Sequence, residues 1–177
     1  MHPLDKFQYC PACGSSRFET HNFKSKQCAD CGFTYYANAS AANVAFILNA
    51  RDELLVVRRG KEPAKGTLDL PGGFTDMEET GEEGVCREVL EETGLRVEQA
   101  EYLFSLPNLY VYSGMTVHTL DMFFRCTVAD TSTLAAHDDV AESLWMPLDR
   151  IDPSLFGLVS IRRGLQRFLD GKIKKDF

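Results

Sequence analysis

No apolar run in the sequence approaches the ~18 residues that a membrane-spanning helix needs, so no membrane partner is expected. No internal repeat and no low-complexity tract is present, which argues against a solenoid or a disordered chain. Basic residues are in the minority. Lys and Arg number 19 against 26 Asp and Glu, for a net charge of −7. That balance argues against non-specific binding to nucleic acid. The opening residues, MHPLDKFQYC, lack the basic-then-apolar layout of a secretory leader, and a cytoplasmic location is the expectation.

What is present is ordinary in bulk and unusual in place. At 177 residues, 44% hydrophobic and 25% charged, the chain can hold one soluble domain and a small appendage. Two of its six cysteines, Cys86 and Cys126, sit in apolar surroundings and read as buried thiols. The other four form two CxxC-Gly units, Cys10-Pro-Ala-Cys13-Gly14 and Cys28-Ala-Asp-Cys31-Gly32. In each, the glycine lets the turn fold back so that backbone amides point at the thiolates. Four thiolates at this spacing suit one tetrahedral Zn²⁺. A redox CxxC would be a single pair near a βαβ unit, and a disulfide framework would suit a secreted protein. Residues 1–36 have too few apolar side chains for a core of their own, so metal binding would supply their folding energy. The expected organisation is a structural zinc ribbon over 1–36 and a catalytic or binding domain over 37–177.

From Tyr35 to Ser40 the chain reads as a linker. Ala42–Leu48 is an apolar strand, with Leu54–Arg59 as its expected hairpin partner. Leu68–Leu70 is a brief strand ended by Pro71-Gly72-Gly73. A further strand lies within 96–107, with Tyr102, Phe104 and Leu106 alternating on one face, and 108–116 reads as aromatic turn. Val117–Val128 is the longest strand candidate and, being apolar, a central one. Asp130–Asp139 is a polar loop, Glu142–Leu148 a short strand, and 158–169 a helix with Leu158, Ile161, Leu165, Phe168 and Leu169 as its core stripe. Strands and helices interleave without a regular βαβ repeat, which predicts a mixed sheet flanked by helices.

The charge is concentrated between Gly73 and Leu95. Eight acids there (Asp76, Glu78, Glu79, Glu82, Glu83, Glu88, Glu91, Glu92) face one base, Arg87, so this stretch alone carries −7. It becomes a helix in which Glu91 lies about 60° to one side of Glu88 and Glu92 about 40° to the other. Val85, Cys86, Val89 and Leu90 occupy a different, packing face. Crowded carboxylates raise one another's pKa and repel unless a cation sits among them, and a hard divalent ion would relieve them. A solvated acidic helix is the plain alternative for such a run.

Gly73, Glu79, Arg87-Glu88-Val89, Glu91-Glu92 and Gly94-Leu95 fill every specified position of G-x5-E-x7-R-E-U-x-E-E-x-G-U, with U aliphatic. This stretch resembles the Nudix box, and the weaker resemblance runs from Asn43 to about Leu169. It implies an α/β (α+β) fold, an α/β/α sandwich with a mixed sheet, behind the small zinc ribbon. It also implies a hydrolase acting on a diphosphate with Mg²⁺ or Mn²⁺ held by Glu88, Glu91 and Glu92, joined by the carbonyl of Gly73. Arg87 would brace box glutamates, and Glu79 would be structural as well. The catalytic base would be a box glutamate or a downstream acid, and Asp139 and Glu142, ahead of Trp145, are weighed evenly. Trp145 itself reads as core.

A zinc ribbon ahead of such a domain resembles the NADH pyrophosphatases, which carry SQPWPFPxS after the box. Here Ser105-Leu106-Pro107-Asn108 keeps S-x-P and loses the tryptophan, and Leu109-Tyr110-Val111-Tyr112 follows. The resemblance implies a small nucleoside diphosphate linked to another group, NAD(H)- or ADP-ribose-like. Tyr110 and Tyr112 are candidates to stack on a nucleobase. A homodimer is a family expectation. The rival readings are a non-catalytic nucleotide sensor with the ribbon as contact surface and, further off, isomerase chemistry on an isoprenoid diphosphate.

Overall fold

A computed structural model describes residues 2–172, so the last five residues of the expected 37–177 domain lie outside the described residues. The N-terminal segment is an antiparallel sheet of β1 (Phe18–Asn22), β2 (Ser25–Cys28) and β3 (Thr34–Tyr36). Tyr35 and Tyr36 therefore belong to a strand rather than a linker. Its small core is Cys10, Phe18 and Cys28.

The larger part has two three-stranded sheets. β4 (Ser40–Ile47), β8 (Met115–Val128) and β7 (Val97–Tyr112) form one, and β6 (Leu68–Asp69), β5 (Glu53–Arg59) and β9 (Val140–Pro147) the other. β4 runs parallel to β8, while β7–β8, β5–β6 and β5–β9 are antiparallel, so the strand arrangement is mixed and β8 is central in its sheet. Helices α1 (Gly81–Thr93) and α2 (Val159–Arg167) cover opposite faces. Alternation along the strands explains the layers. Val44, Phe46, Leu54, Val56 and Phe123 point to the α2 side, and Ala45, Ile47, Leu55 and Phe124 to the α1 side. A strand covered on both faces reads as a continuous apolar run, as 44–47 does. Trp145 packs in part against the α1-side core. Gly164 lets α2 approach closely, since a Cβ there would lie 2.4 Å from the Phe123 ring. Among the described residues no helix is long and apolar enough to cross a membrane.

Four further local expectations change. β5 is not the hairpin partner of β4. Only a single bridge, Leu48 with Leu54, joins them before they diverge into separate sheets, because β8 takes the edge of β4. A shift in register between Tyr102 and Phe104 breaks the alternation there. Tyr102 meets Phe124 edge-on on the α1 side, whereas Phe104 stacks on Phe123 on the α2 side. The 108–116 segment is mostly strand, and only Ser113 and Gly114, both at positive φ, make the turn of a long β7–β8 hairpin. Leu90 is 40% exposed, so the packing face of α1 is narrower than its apolar residues imply.

Candidate active site and metal centres

Helix α1 is fixed at both ends. Thr80 and Glu83 form a reciprocal capping box, and Gly94, left-handed at φ 71°, donates its N–H to Leu90. Val85 and Val89 are wholly buried, which locks the rotation of the helix and so aims the glutamates. The turn before it is lashed to β4. Ala45 N donates to Pro71 O at 2.8 Å, Asn43 N to Gly73 O at 2.7 Å and Thr75 N to Ala41 O at 3.1 Å. Gly73 lies close under Glu88, since a Cβ there would lie 2.5 Å from Glu88 Oε1 and would displace that carboxylate.

Arg87 is the hub of the acidic stretch. Its Nε and Nη2 donate to the two oxygens of Glu79 at 2.9 and 3.0 Å, and Nη2 also donates to Phe74 O at 3.0 Å. Nη1 donates to Glu88 Oε1 at 2.9 Å and to Glu91 Oε2 at 3.0 Å. Asp76 N donates to Glu79 Oε2 at 2.9 Å, which fixes that carboxylate from its other side. The guanidinium beside Glu79 holds its carboxyl below the usual range. Among the described residues no arginine hydrogen-bonds Glu92. Glu92 is buried, and Gly72 N donates to its Oε2 at 3.0 Å. Burial pushes the Glu92 carboxyl up to about 8 against that hydrogen bond, with Glu88 and Asp69 adding to the rise. Burial also raises Glu88, and Arg87 opposes it.

A cavity of about 690 Å³ opens beside this helix, lined among others by Gly73, Arg87, Glu88, Glu91 and Glu92. Asp139, Tyr110 and Tyr112 are on its wall too. Asp139 pairs with Lys61, while Tyr110 OH accepts from Arg59 Nη2 at 3.2 Å and its ring meets Phe74 edge-on at 5.6 Å. Two expected residues are elsewhere. Glu79 lies behind Arg87, and Glu142, on β9, accepts from Arg58 Nε at 3.0 Å on the neighbouring strand; neither lines the cavity.

The donor set suits a hard divalent cation. Glu88, Glu91 and Glu92 each use one carboxylate oxygen in the bonds above, leaving Glu88 Oε2, Glu91 Oε1 and Glu92 Oε1 without a hydrogen bond among the described residues. These oxygens are not drawn into a tight cage. Among the described residues only the cysteines form a group whose ligand atoms all lie within 4.8 Å of one another. An open set of a few carboxylate oxygens matches Mg²⁺, which keeps several of its waters.

The cysteine group fits zinc more closely. Cys10 Sγ to Cys31 Sγ and Cys13 Sγ to Cys28 Sγ are both 3.7 Å. A tetrahedron with Zn–S near 2.3 Å has S···S edges of roughly 3.8 Å. The two units are built alike. Gly14 N donates to Cys10 O and Gly32 N to Cys28 O, with φ of 75° and 77° at the glycines. The backbone N–H of Cys31, and then that of Asp30, bring the buried Cys28 thiol down to about 6, the form a metal needs.

Sequence reasoning missed the floor of the cavity. Asp69, Asn108, Thr119 and Asp121 are all more than nine-tenths buried there. Arg59 Nη1 donates to Asp69 Oδ2 at 2.6 Å, and Asp69, raised by burial, is opposed by that pairing. The available signal was a lone acid inside an apolar strand, as in Leu68-Asp69-Leu70 and Leu120-Asp121-Met122.

Comparison with known proteins adds four findings. The family model described as the NUDIX domain matches residues 37–167. A MutT-like protein of Streptomyces ambofaciens is 34% identical over 132 residues, 74% of this chain and 78% of that one. The NAD-capped RNA hydrolase NudC of Deinococcus radiodurans is 29% identical over 140 residues, 78% of this chain and 48% of that one, so the chain spans about half the length of that relative. Among solved structures, a NUDIX hydrolase from Nitrosomonas europaea superposes with a TM-score of 0.74 at 22% identity, over 94% of this chain and 92% of that one, a likeness of fold.

Proposed function

The chain belongs to the NUDIX domain family, and from that premise we propose that it is a pyrophosphohydrolase dependent on Mg²⁺ or Mn²⁺. Its substrate would be a nucleoside diphosphate linked to a second group, of the NAD(H) or ADP-ribose kind. The observation that carries the reading is the buried Glu92 beside Glu88 at the Gly72-Gly73 turn, two carboxyls raised by burial on the wall of a nucleotide-sized cavity. Perturbed carboxyls gathered in a cleft mark a functional site, and a divalent cation among them would favour their ionised form.

A divalent metal bound there supplies charge neutralisation for the phosphoryl oxygens and a more acidic water. The residues divide the remaining work. Glu88, Glu91 and Glu92 would hold the ion with one free oxygen each, together with the second lone pair of the Gly73 carbonyl. Arg87, anchored on Glu79 and Phe74 O, keeps Glu88 and Glu91 from swinging away. Asp139 on the cavity wall is the better placed downstream base, because Glu142 points at Arg58 outside it. Tyr110 and Tyr112 flank the cavity where a base would stack. The four cysteines would hold a structural Zn²⁺ that folds residues 1–36, with 37–177 forming the catalytic domain.

The test is a panel of nucleoside diphosphate derivatives and nucleoside triphosphates in Mg²⁺ and in Mn²⁺, with products identified by mass. Glu91→Gln and Glu92→Gln should each lower kcat by orders of magnitude with the fold intact. Turnover unchanged in both variants would remove the metal assignment, and tight nucleotide binding with no turnover in any metal would favour a sensor.

A further inference from the structure

Arg58 and Arg59 end β5 and go to opposite sides. Arg58 pairs with Glu142 outside the cavity, whereas Arg59 lines it with most of its side chain buried. The β5–β9 register shifts between them, with Arg58 opposite Glu142 and Arg59 opposite Val140. Irregularities of this kind re-aim a side chain beside a site. The metal and diphosphate chemistry proposed above gives Arg59 no role, yet its guanidinium is tied to three separate parts of the wall. Nε donates to Pro63 O at 2.7 Å, Nη1 to Asp69 Oδ2 at 2.6 Å and Nη2 to the Tyr110 hydroxyl at 3.2 Å. Asp69 is itself fixed, since Leu70 N donates to its Oδ1 at 2.9 Å.

The far end of these contacts is a ring on the cavity wall. Tyr110 is held at its hydroxyl by Arg59 and at its ring by Phe74, edge-on at 5.6 Å. Phe74 is fixed in turn through its backbone, bridged to Ala42 and accepting from Arg87 Nη2 at 3.0 Å. Tyr112 also lines the cavity, but it is 62% exposed and its hydroxyl makes no hydrogen bond among the described residues. A ring already held costs a ligand no further ordering, whereas a loose one must be immobilised on binding. We infer that Arg59 is a positioning residue for substrate binding: anchored on Asp69 and Pro63, it holds the Tyr110 ring in place for a nucleobase to stack on. The inference rests on the nucleotide reading proposed above and makes Tyr110 its pre-set platform.

Two variants separate this role from a direct contact. Tyr110→Phe keeps the ring and removes only the hydroxyl. Arg59→Lys keeps a charge beside Asp69 and removes the fork that spans the three contacts. The full zinc-loaded chain is titrated calorimetrically in Mg²⁺ with AMP and with methylenediphosphonate, which carries no base and whose P–C–P link resists hydrolysis. Each single variant should weaken AMP about three- to tenfold, the scale of one side chain immobilised on binding. The double variant should bind AMP no more weakly than the weaker single, because both changes free the same ring. Methylenediphosphonate should bind the parent and every variant within about twofold. In turnover of a nucleoside diphosphate derivative the loss should fall on KM rather than kcat. AMP affinity within about twofold of the parent in Tyr110→Phe overturns the inference. Single effects that multiply in the double variant overturn it too, as does an equal loss of methylenediphosphonate in Arg59→Lys, since either would make Arg59 a direct ligand contact. If thermal melts show Arg59→Lys unfolded, Tyr110→Phe alone decides, because it leaves the Arg59–Asp69 pair in place. The two readings fail separately. AMP affinity lost as described without hydrolysis of any diphosphate would refute the catalytic proposal alone, and hydrolysis with AMP affinity indifferent to both variants would refute this one alone.

Discussion

Replacing Arg87 by methionine tests the bracing role most directly. The guanidinium makes five hydrogen bonds, two to Glu79 and one each to Glu88, Glu91 and Phe74 O. Their worth depends on burial. Arg87 is 26% exposed, Glu79 14% and Glu88 15%, whereas Glu91 is 49% exposed. Breaking a buried pair by removing one partner costs about 3–5 kcal/mol, and an exposed pair contributes about 0–1 kcal/mol. With the Glu91 bond discounted to near zero and the others intermediate, Arg87→Met should cost about 2–4 kcal/mol at pH 7. For a chain of this length that is a fall in Tm of about 5–15 °C. The sign with pH follows from Glu79, whose carboxyl Arg87 holds below its ordinary value of 4.5. Its contribution is present above that value and is lost as pH falls through the lower, folded one. The gap between parent and variant should therefore narrow below about pH 4. Arg87→Lys keeps the charge without the fork and should recover little. Thermal melts of the three proteins at pH 7 and pH 3 decide it. A loss below about 1 kcal/mol at pH 7, or a gap as wide at pH 3, would refute the reasoning.

In buffer free of Mg²⁺ and Mn²⁺, stability should fall as pH rises from 4.5 to about 8, because folded Glu92 keeps a proton that the unfolded chain releases. Glu92→Gln should flatten that slope in urea titrations, and an identical slope in both would count against the buried carboxyl. Protein expressed with zinc available should carry about one zinc atom per chain by atomic absorption, and Cys28→Ser should lose it. The Cys28→Ser chain should also become protease-sensitive within residues 1–36; a metal-free parent with that segment resistant would refute the zinc reading. Glu142→Gln should leave turnover within about twofold of the parent, since Glu142 faces Arg58, while Asp139→Asn should lower it at least tenfold. The reverse order would return the base assignment to β9.

How much of this was legible in the chain depends on how far apart the cooperating residues are. The helix glutamates lie three and four residues apart, so helical geometry alone puts Glu88, Glu91 and Glu92 on one side. The thiol group is local in the same way, because each CxxC-Gly unit folds its own turn. Partnership between strands is not local. The parallel pairing of β4 with β8 joins residues nearly eighty positions apart, and nothing in the run 42–48 marks β8 rather than β5 as its neighbour. The Tyr102–Phe104 shift is similarly silent, since alternation of apolar residues persists through a bulge while the faces exchange. Glu142 and Asp139 could not be ranked for this reason. Their difference lies in which one faces the cavity, and that is set by pairing with Arg58 and Lys61.

On the proposed reading, the same distinction separates the glutamates that would hold a metal from the far wall of the cavity. Arg87 takes one oxygen from Glu88 and one from Glu91, and Gly72 takes one from Glu92. What remains is one free oxygen on each of three carboxylates, and a side chain at Gly73 would push the Glu88 carboxylate out of place. That arrangement comes from a single stretch of chain and would hold a cation whatever base lay beyond it. The β7–β8 wall is different, since Asn108 and Asp121 reach the same cavity only because the hairpin register brings them there. Substitutions along that hairpin are therefore expected to alter the fit of a ligand in the cavity while leaving the three candidate metal-binding glutamates in place.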